Sequence, residues 1–326
     1  MPAGVVWASK FQAGLESTRG TAVAATRIQP LNGWFVENVE RAKVHEQRNS
    51  LNDIFRSIQV KRNVELRGLT TSPTFEDLPW FLQSFVKGGV TGVLSNTSVY
   101  TYTFVPTYNA DDLKTVTWEL GDDTQAFQVP FCLGQRLELS FGGERLASMT
   151  ADYIGQKANK QAFTGALSDR VTEDINGELM TATIDSSTIG TTSVPTVLNA
   201  RFTLENNWVQ LFRLDGNLYP GDAYRKPRSA MLELVVQFAS TTEYDAFVTA
   251  PAERKVRLSV SGSNIPSSSP STNKLLQIDW YGYWDTAPIS DDNGVHTVKL
   301  TGTSHYDTTA TQDFQIVMKN GLVTLP

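Results

Sequence analysis

Arg136-Leu137-Glu138-Leu139-Ser140-Phe141 sets three bulky apolar side chains against arginine, glutamate and serine in strict alternation. Successive side chains of an extended chain point to opposite faces. The hexapeptide therefore predicts a strand with one face in a core and the other toward solvent or a partner. The same period of two runs through Thr115-Val116-Thr117-Trp118-Glu119-Leu120, through Val256, Leu258 and Val260, and through Phe314, Ile316 and Met318. Tyr100-Thr101-Tyr102-Thr103-Phe104-Val105 is strand-like by alternation and by composition. All are predicted as half-buried antiparallel strands.

Helical spacing is clear in two places. Leu78, Phe81, Leu82 and Phe85 form one apolar stripe. Pro79 is tolerated only in a first turn, which puts the start near Asp77, whose carboxylate would cap free N–H groups. Gly88-Gly89 ends that helix. In the second, Ser240 and Glu243 have capping-box spacing, Tyr244, Phe247 and Val248 form the stripe, and Pro251 stops it. Two short helices among many strands give an α+β, mainly β class.

Fragments recur at a nearly constant offset. Glu37 matches Glu205, Glu65-Leu66 matches Glu233-Leu234, and Asp77 matches Asp245, each at a shift of 168. Phe55-Arg56 matches Tyr224-Arg225 at 169. Self-similarity of this kind predicts a duplicated unit, the alternative being one β domain with coincidental dipeptides. The boundaries are then 1–160 for the first unit with its amino-terminal arm, and 161–326 for a linker and the second unit. The join falls in the Thr-, Ser- and Gly-rich stretch between Lys157 and Asn199, and Ser261 to Asn273 reads as a polar hairpin loop.

A chain of 326 residues with 40% hydrophobic residues, 16 Phe, 10 Tyr and 7 Trp has enough apolar surface for a real core. Its 28 basic and 34 acidic side chains leave a net charge of −6, the opposite of what a protein gripping nucleic acid along its length needs. The single cysteine, Cys132, excludes an intramolecular disulfide and any zinc site built on several cysteines. No apolar run is long enough to cross a bilayer as a helix. The start, Met1-Pro2-Ala3-Gly4-Val5-Val6-Trp7, lacks the features of a signal peptide, so a soluble protein made in a cytoplasm is expected.

Catalytic patterns are weak. Ser271-Thr272-Asn273-Lys274 fits SxxK inside a serine-rich stretch where such spacing arises easily. His45, His296 and His305 have no ligand spacing. The doublets Asp111-Asp112, Asp122-Asp123 and Asp291-Asp292 sit where Asp commonly shapes turns. A glycosidase-type hydrolase built on them is the remote enzyme option. Trp118, Trp280, Tyr281, Tyr283 and Trp284 could form a carbohydrate-binding platform, with core or interface burial the blander reading. No enzyme activity, cofactor or metal is expected.

Arg41, Lys43, Arg48, Arg56, Lys61 and Arg62 make residues 41–62 basic, diluted by Glu40, Glu46 and Asp53. Phe55 is the only aromatic there, too few for a nucleic-acid groove. A long polar strand-loop-strand excursion, free for contacts with another subunit, fits better. Its counterpart is about 209–230, with Leu218-Tyr219-Pro220-Gly221-Asp222 and Arg225-Lys226-Pro227-Arg228.

Several of these features together resemble the major tail tube proteins of long-tailed (siphovirus-type) bacteriophages. They are Lys10 with Glu16-Ser17-Thr18-Arg19-Gly20-Thr21, the excursion at 37–62, Phe75-Glu76-Asp77-Leu78-Pro79-Trp80-Phe81-Leu82, and Tyr100 to Pro106. Met149 to Gln156 and the ending Phe314 to Val323 belong with them. The resemblance covers most of the chain as pattern and order. It implies antiparallel β-sandwich or barrel units, each with a short flanking helix, whose inner sheets join around a ring. Rings stack into a tube through which genomic DNA passes during ejection. It further implies residence in the virion after assembly in the bacterial host cytoplasm, without membrane insertion. The neighbours would be other tail proteins, namely the tape measure, terminator and distal tail proteins. A duplicated chain implies a trimeric, pseudo-six-fold (pseudo-hexameric) ring; a single unit with an appended domain would give a hexamer. Candidate inter-subunit and inter-ring contacts are Lys10, Glu16, Arg41, Lys43, Arg48, Phe55, Arg56, Leu218, Tyr219 and Arg225. The acid excess implies a bore lined by carboxylates rather than Lys and Arg. Rival roles are a terminator or decoration protein, or the carbohydrate-binding module.

Overall fold

The computed structural model describes residues 9–122, 124–143, 145–249, 251–292 and 294–325. The first half contains β1 (Lys10–Leu15), β2 (Arg27–Gln29), β3 (Asn32–His45), β4 (Ile54–Thr71), α1 (Leu78–Phe85), β5 (Val93–Asn96) and β6 (Val99–Phe104). β7 (Val116–Gly121), β8 (Ala126–Gly142), β9 (Ser148–Gly155) and β10 (Asn159–Lys160) follow. The second half contains β11 (Met180–Asp185), β12 (Val197–Glu205), β13 (Trp208–Leu211), β14 (Asp222–Arg225), β15 (Ser229–Gln237) and α2 (Thr242–Val248). It ends with β16 (Arg254–Asn264), β17 (Asn273–Thr286), β18 (Ile289–Asp292), β19 (Val295–Ser304) and β20 (Phe314–Asn320). Among the described residues the chain is mainly β, with antiparallel sheets, as the alternation predicts, and two short α-helices.

Two long strands organise the pairing. The first half of β8 pairs with β7, which leads on to β1 and β2; its second half lies between β9 and β12. β17 repeats the device. Its first half lies between β16 and β20, and its end pairs with β19. A run β3-β4-β9-β8-β12-β15-β19-β17 results, continuous in backbone hydrogen bonding from one half of the chain into the other.

The order β4-β9-β8-β7 in the first half thus recurs as β15-β19-β17-β16 in the second. Each long strand even carries a one-residue bulge opposite its neighbour, at Gln135 against β9 and at Asp285 against β19. A constant shift of 168 does not describe this recurrence. Pairing position matches Phe35 to Phe202 (167), Leu66 to Leu232 (166) and Gly134 to Trp284 (150). Loops of unequal length lie between the strands, so no single shift can hold.

The core lies on one face of the eight-strand run. Leu66, Tyr153, Leu137, Leu139, Phe202, Leu232, Leu234 and Leu300 are all fully buried there. Helix α1 packs into the first half and is buried on every side, not along a stripe alone. Trp80 meets Phe81 and Trp118 edge-on, and Phe85 lies against Tyr153. Its polar residues are satisfied: Ser84 Oγ lies 3.1 Å from the Tyr153 hydroxyl, and the Gly89 amide donates to Gln83 Oε1. Gly89 turns the chain away at φ +70°, where a side chain would be strained.

Several local expectations change. Asp77 holds the N-cap position of α1 but makes no capping bond; Arg27 and Arg170 take its carboxylate instead. Helix α2 starts after Thr241 rather than Ser240, again without a side-chain cap. Glu243, expected in a capping box, accepts from Arg254 and from Trp284 Nε1, and Val248 is exposed. β7 is buried on both faces, because Glu16 and Thr164 supply partners for its inward polar side chains Thr117 and Glu119.

The expected join at 157–199 is ordered and contains β11, which pairs with β16. Asp185, at the end of β11, accepts from the amides of Gly190, Thr191 and Thr192 and so closes the loop after it. Burial works against its ionisation, but the bonds from Thr191 and Thr192 outweigh that and hold the carboxyl down to about 2.

Phe81→Asp puts an unpaired charge between Trp80 and Trp118 and removes a cooperative unfolding transition measured in urea. For Asp185, the unfolded value is about 3.9 and the folded value lower. Its stabilisation of about 2 kcal/mol is therefore present above about pH 4 and is lost as pH falls toward 2. Urea titrations across that window should show wild type losing more stability than Asp185→Asn.

Candidate assembly surface

The face of the eight-strand run opposite the core is polar, since the alternation that buries Leu137 and Leu139 turns Arg136 and Glu138 outward. Ion pairs run along the strands of this face and between them. Arg136 lies 2.7 Å from Glu138 and 3.7 Å from Glu205, and Arg201 lies 3.6 Å from Glu138. Arg67 pairs with Glu65 at 2.7 Å and Lys299 with Glu233 at 2.9 Å. Asp152, on the same face, accepts from the Gly68 amide. Exposed pairs like these contribute little individually to stability. Their effect is on the field: cations and carboxylates alternate, and neither sign forms a continuous stripe.

The run has two open ends among the described residues. β3 pairs with β4 on one side only, and Trp34 and Val36 are exposed on it. At the other end, residues 283–292 pair only with β19, and Tyr283 and Ile289 are exposed. Unpaired strand edges present rows of N–H and C=O groups that template another strand.

β3 and β4 continue beyond the sheet as a two-stranded ribbon, the excursion expected from the sequence. Its base is held within the chain. The Arg62 amide donates to the Leu218 carbonyl, Asn63 Nδ2 donates to Gln210 Oε1, and Arg62 and Lys157 lie over the Tyr219 ring. The counterpart segment forms the separate β13–β14 hairpin, whose loop folds onto this base. Leu218 and Tyr219 therefore hold the ribbon in place.

Toward the ribbon tip, Arg41 and Lys43 are exposed, and Arg48 and Arg56 both pair with Glu46, with Arg48 over the Phe55 ring. His45 Nδ1 lies 2.6 Å from Asp53 Oδ2 and braces the turn. This pairing lowers the Asp53 carboxyl below the usual range, chiefly through the hydrogen bond to His45. Leu51, Phe55, Ile58 and Val60 add exposed apolar surface.

Glu16 is a correction. It is buried, and its carboxylate accepts from the Gly20 and Phe131 amides and from the Thr115 and Thr117 hydroxyls at 2.6–2.8 Å. It clasps the amino-terminal segment to β7 and β8 and cannot reach another subunit. Phe131, held at φ +58°, depends on the same carboxylate. Lys10 lies over the Phe163 ring, and Arg225 lies over Trp208.

Residues considered for chemistry take structural places. Lys274 Nζ is bound by Glu76 and Glu173 at 2.6 and 2.9 Å, which together outweigh burial and raise its pKa, so it is not poised to deprotonate Ser271. Asp111 pairs with Arg19 at 2.6 Å, and Asp112 accepts from Thr107. Asp122 accepts from the Thr124 and Gln125 amides and Asp291 from Gly294, the turn role expected of them. Asp123 lies outside the described residues. His296 is exposed, and His305 meets Tyr283 edge-on. Of the aromatic platform candidates, Trp118, Trp280, Tyr281 and Trp284 are buried and only Tyr283 is exposed. No helix among the described residues is long and apolar enough to cross a membrane.

The open edge at 283–292 escaped sequence reasoning. Pro288 interrupts its alternation, and nothing local distinguishes an unpaired strand from a paired one. No family model matches the chain, and no curated protein matches it.

Removing the Glu16 carboxylate takes the acceptor from the Gly20 and Phe131 amides and from the Thr115 and Thr117 hydroxyls. Glu16→Ala should cost at least about 1–3 kcal/mol in chemical unfolding, with early protease cleavage between β1 and β2. Unchanged stability would show that the clasp is dispensable.

Proposed function

We propose that this chain is a structural, non-enzymatic subunit of a bacteriophage tail tube. Its copies assemble into stacked rings around a lumen that carries genomic DNA. The observation that carries the reading is the eight-strand antiparallel run, open at both ends. A sheet with complementary open edges that joins head to tail closes into a ring when the rotation per copy permits. Closure would remove the aggregation hazard that two exposed edges present in a monomer.

The recurrent pairing order supports two tandem tail-tube-like β-sandwich or barrel units per chain, with α1 and α2 as their flanking helices. It favours a trimer over a hexamer, since three copies of a two-unit chain supply six units in pseudo-six-fold arrangement. The face with the Arg136–Glu138–Arg201 network would line the lumen. Phosphates bind to a basic wall, whereas a wall whose cations are already paired lets DNA slide. On this reading the bore is charge-neutralised by interleaved ion pairs, a refinement of the acidic lining expected from composition.

The ribbon of β3 and β4 supports the stacking role. It is fixed at its base, and its tip carries exposed apolar side chains beside Arg41, Lys43 and Arg48. Neighbouring tail proteins (tape measure, terminator, distal tail protein) would meet the tube at its ends, within the virion. Burial of Trp118, Trp280 and Trp284 weighs against the carbohydrate-binding alternative.

Concentrated purified protein should form hollow tubes in negative-stain images, with ring mass an integral multiple of the subunit. Single rings that never stack would favour a terminator, and a stable monomer would overturn the reading. Deleting 41–60 should leave a folded chain that still forms rings but no longer stacks them; tubes of normal length from that variant would remove the ribbon from stacking.

A further inference from the structure

The junction between the two halves of the chain supplies a template for a junction between chains. Within the chain, the second half of β8 pairs with β12 so that Leu139 faces Phe202 and Leu137 faces Leu204. All four side chains are fully buried. The Asn206 amide continues the ladder by donating to the Gln135 carbonyl at 2.9 Å.

Each strand of this seam has a counterpart at an open edge. The bulges at Gln135 and Asp285 match Arg136 to Thr286, and β18 carries on from β17 along β19 in unbroken register. Thr286 faces Thr301, Ile289 faces Val298, and the Lys299 amide donates to the Pro288 carbonyl. Counting forward four residues from the matched bulges, Leu139 corresponds to Ile289. On the other strand, Leu66 faces Tyr153 and Phe35, while Leu232 faces Gly302 and Phe202. Tyr153 and Gly302 match through the bulges, so Phe35 corresponds to Phe202.

We infer that β3 of one copy pairs antiparallel with residues 286–291 of a second copy of this chain, with Phe35 opposite Ile289 and Glu37 opposite Ala287. The inference rests on the proposed assembly and specifies its seam. Two further observations support the register independently. The first is exposure: Phe202 and Leu139 are both 0% exposed, whereas Ile289 is 47% exposed and Phe35 is half-buried. On the core face the register sets Phe35 against Ile289, both left partly uncovered, and on the opposite face it sets exposed Val36 against exposed Pro288.

The second is backbone phase. The Pro288 carbonyl faces β19, so its missing N–H also falls on that side, and Ala287, Ile289 and Asp291 direct their N–H and C=O groups outward. Proline usually blocks an edge; at this phase it does not. On β3, the Glu46 amide donates to the Asp53 carbonyl of the turn, which places even-numbered residues toward β4. All three pairing irregularities in this ribbon add their extra residue to β4, so the phase of β3 is kept. Gly33, Phe35 and Glu37 therefore face outward, as the pairing with 291, 289 and 287 requires.

A double-cysteine variant tests the seam. Asn38 and Thr286 would be directly opposed in a non-hydrogen-bonded pair, about 4.5 Å between Cα atoms, within disulfide reach. Cys132 is buried, and burial raises its thiol well above the ordinary range, so it stays out of the oxidation. Oxidised Asn38→Cys/Thr286→Cys should give a covalent ladder that ends at the closed ring, each single variant alone should stay uncrosslinked, and a mixture of the two single variants should give covalent dimers. Asn38→Cys/Ser290→Cys, four residues out of register, should lose the cross-link. If wild type forms tubes but neither the double variant nor the mixture cross-links, or the shifted pair cross-links instead, this seam is wrong while the tube reading survives. If wild type forms no ring or tube, both fail together.

Discussion

Everything in this molecule depends on the hydrogen-bonding demand of two long strands. β8 spans Ala126–Gly142, too long for any one neighbour to cover, and it meets the demand by changing partners midway. Its first half pairs with β7 and β10, and its second with β9 and β12. β17 does the same with β16, β20 and β19. A buried backbone N–H or C=O without a partner costs about as much as a lost hydrogen bond, so each change of partner fixes where the neighbouring strands must lie. The bulges at Gln135 and Asp285 let each long strand change direction without breaking the ladder.

The core adds to this frame without creating it. Trp80, Phe81, Trp118 and Tyr153 pack at edge-on and tilted angles between α1 and the sheet. The second half has a looser arrangement. Only Ala246 of α2 is fully buried, and the helix is tied down by Glu243 through Arg254 and Trp284. The halves share a strand order but differ in how their helices are held. Function, as proposed, draws on the parts that the frame leaves unfinished: two open edges, one protruding ribbon and one face of paired charges.

The placement of candidate residues follows the same division. Arg41, Lys43, Arg48, Phe55 and Arg56 sit on the ribbon, where the mixed charge and the lack of a helical or core pattern already suggested an exposed excursion. Leu218 and Tyr219 were legible as its counterpart, but their contact with Arg62 was not, since it joins residues far apart in sequence. Glu16 is expected at an inter-subunit contact from the resemblance alone, and a glutamate among Ser, Thr and Gly carries no local sign of burial. Its partners Thr115, Thr117 and Phe131 come from strands about a hundred residues away.

The sequence by itself determined the class of structure: period-two alternation at 136–141, 256–260 and 314–318 forces strands with one apolar face, and the stripe at 78–85 forces a helix. Those patterns act between neighbours in the chain and need no fold to be read. Tertiary structure alone decided which strands adjoin, which edges stay open, and that Ile289 and Phe35 are left half-covered. Strand pairing depends on backbone groups that every residue carries alike, so no side-chain pattern in a single segment reveals its partner.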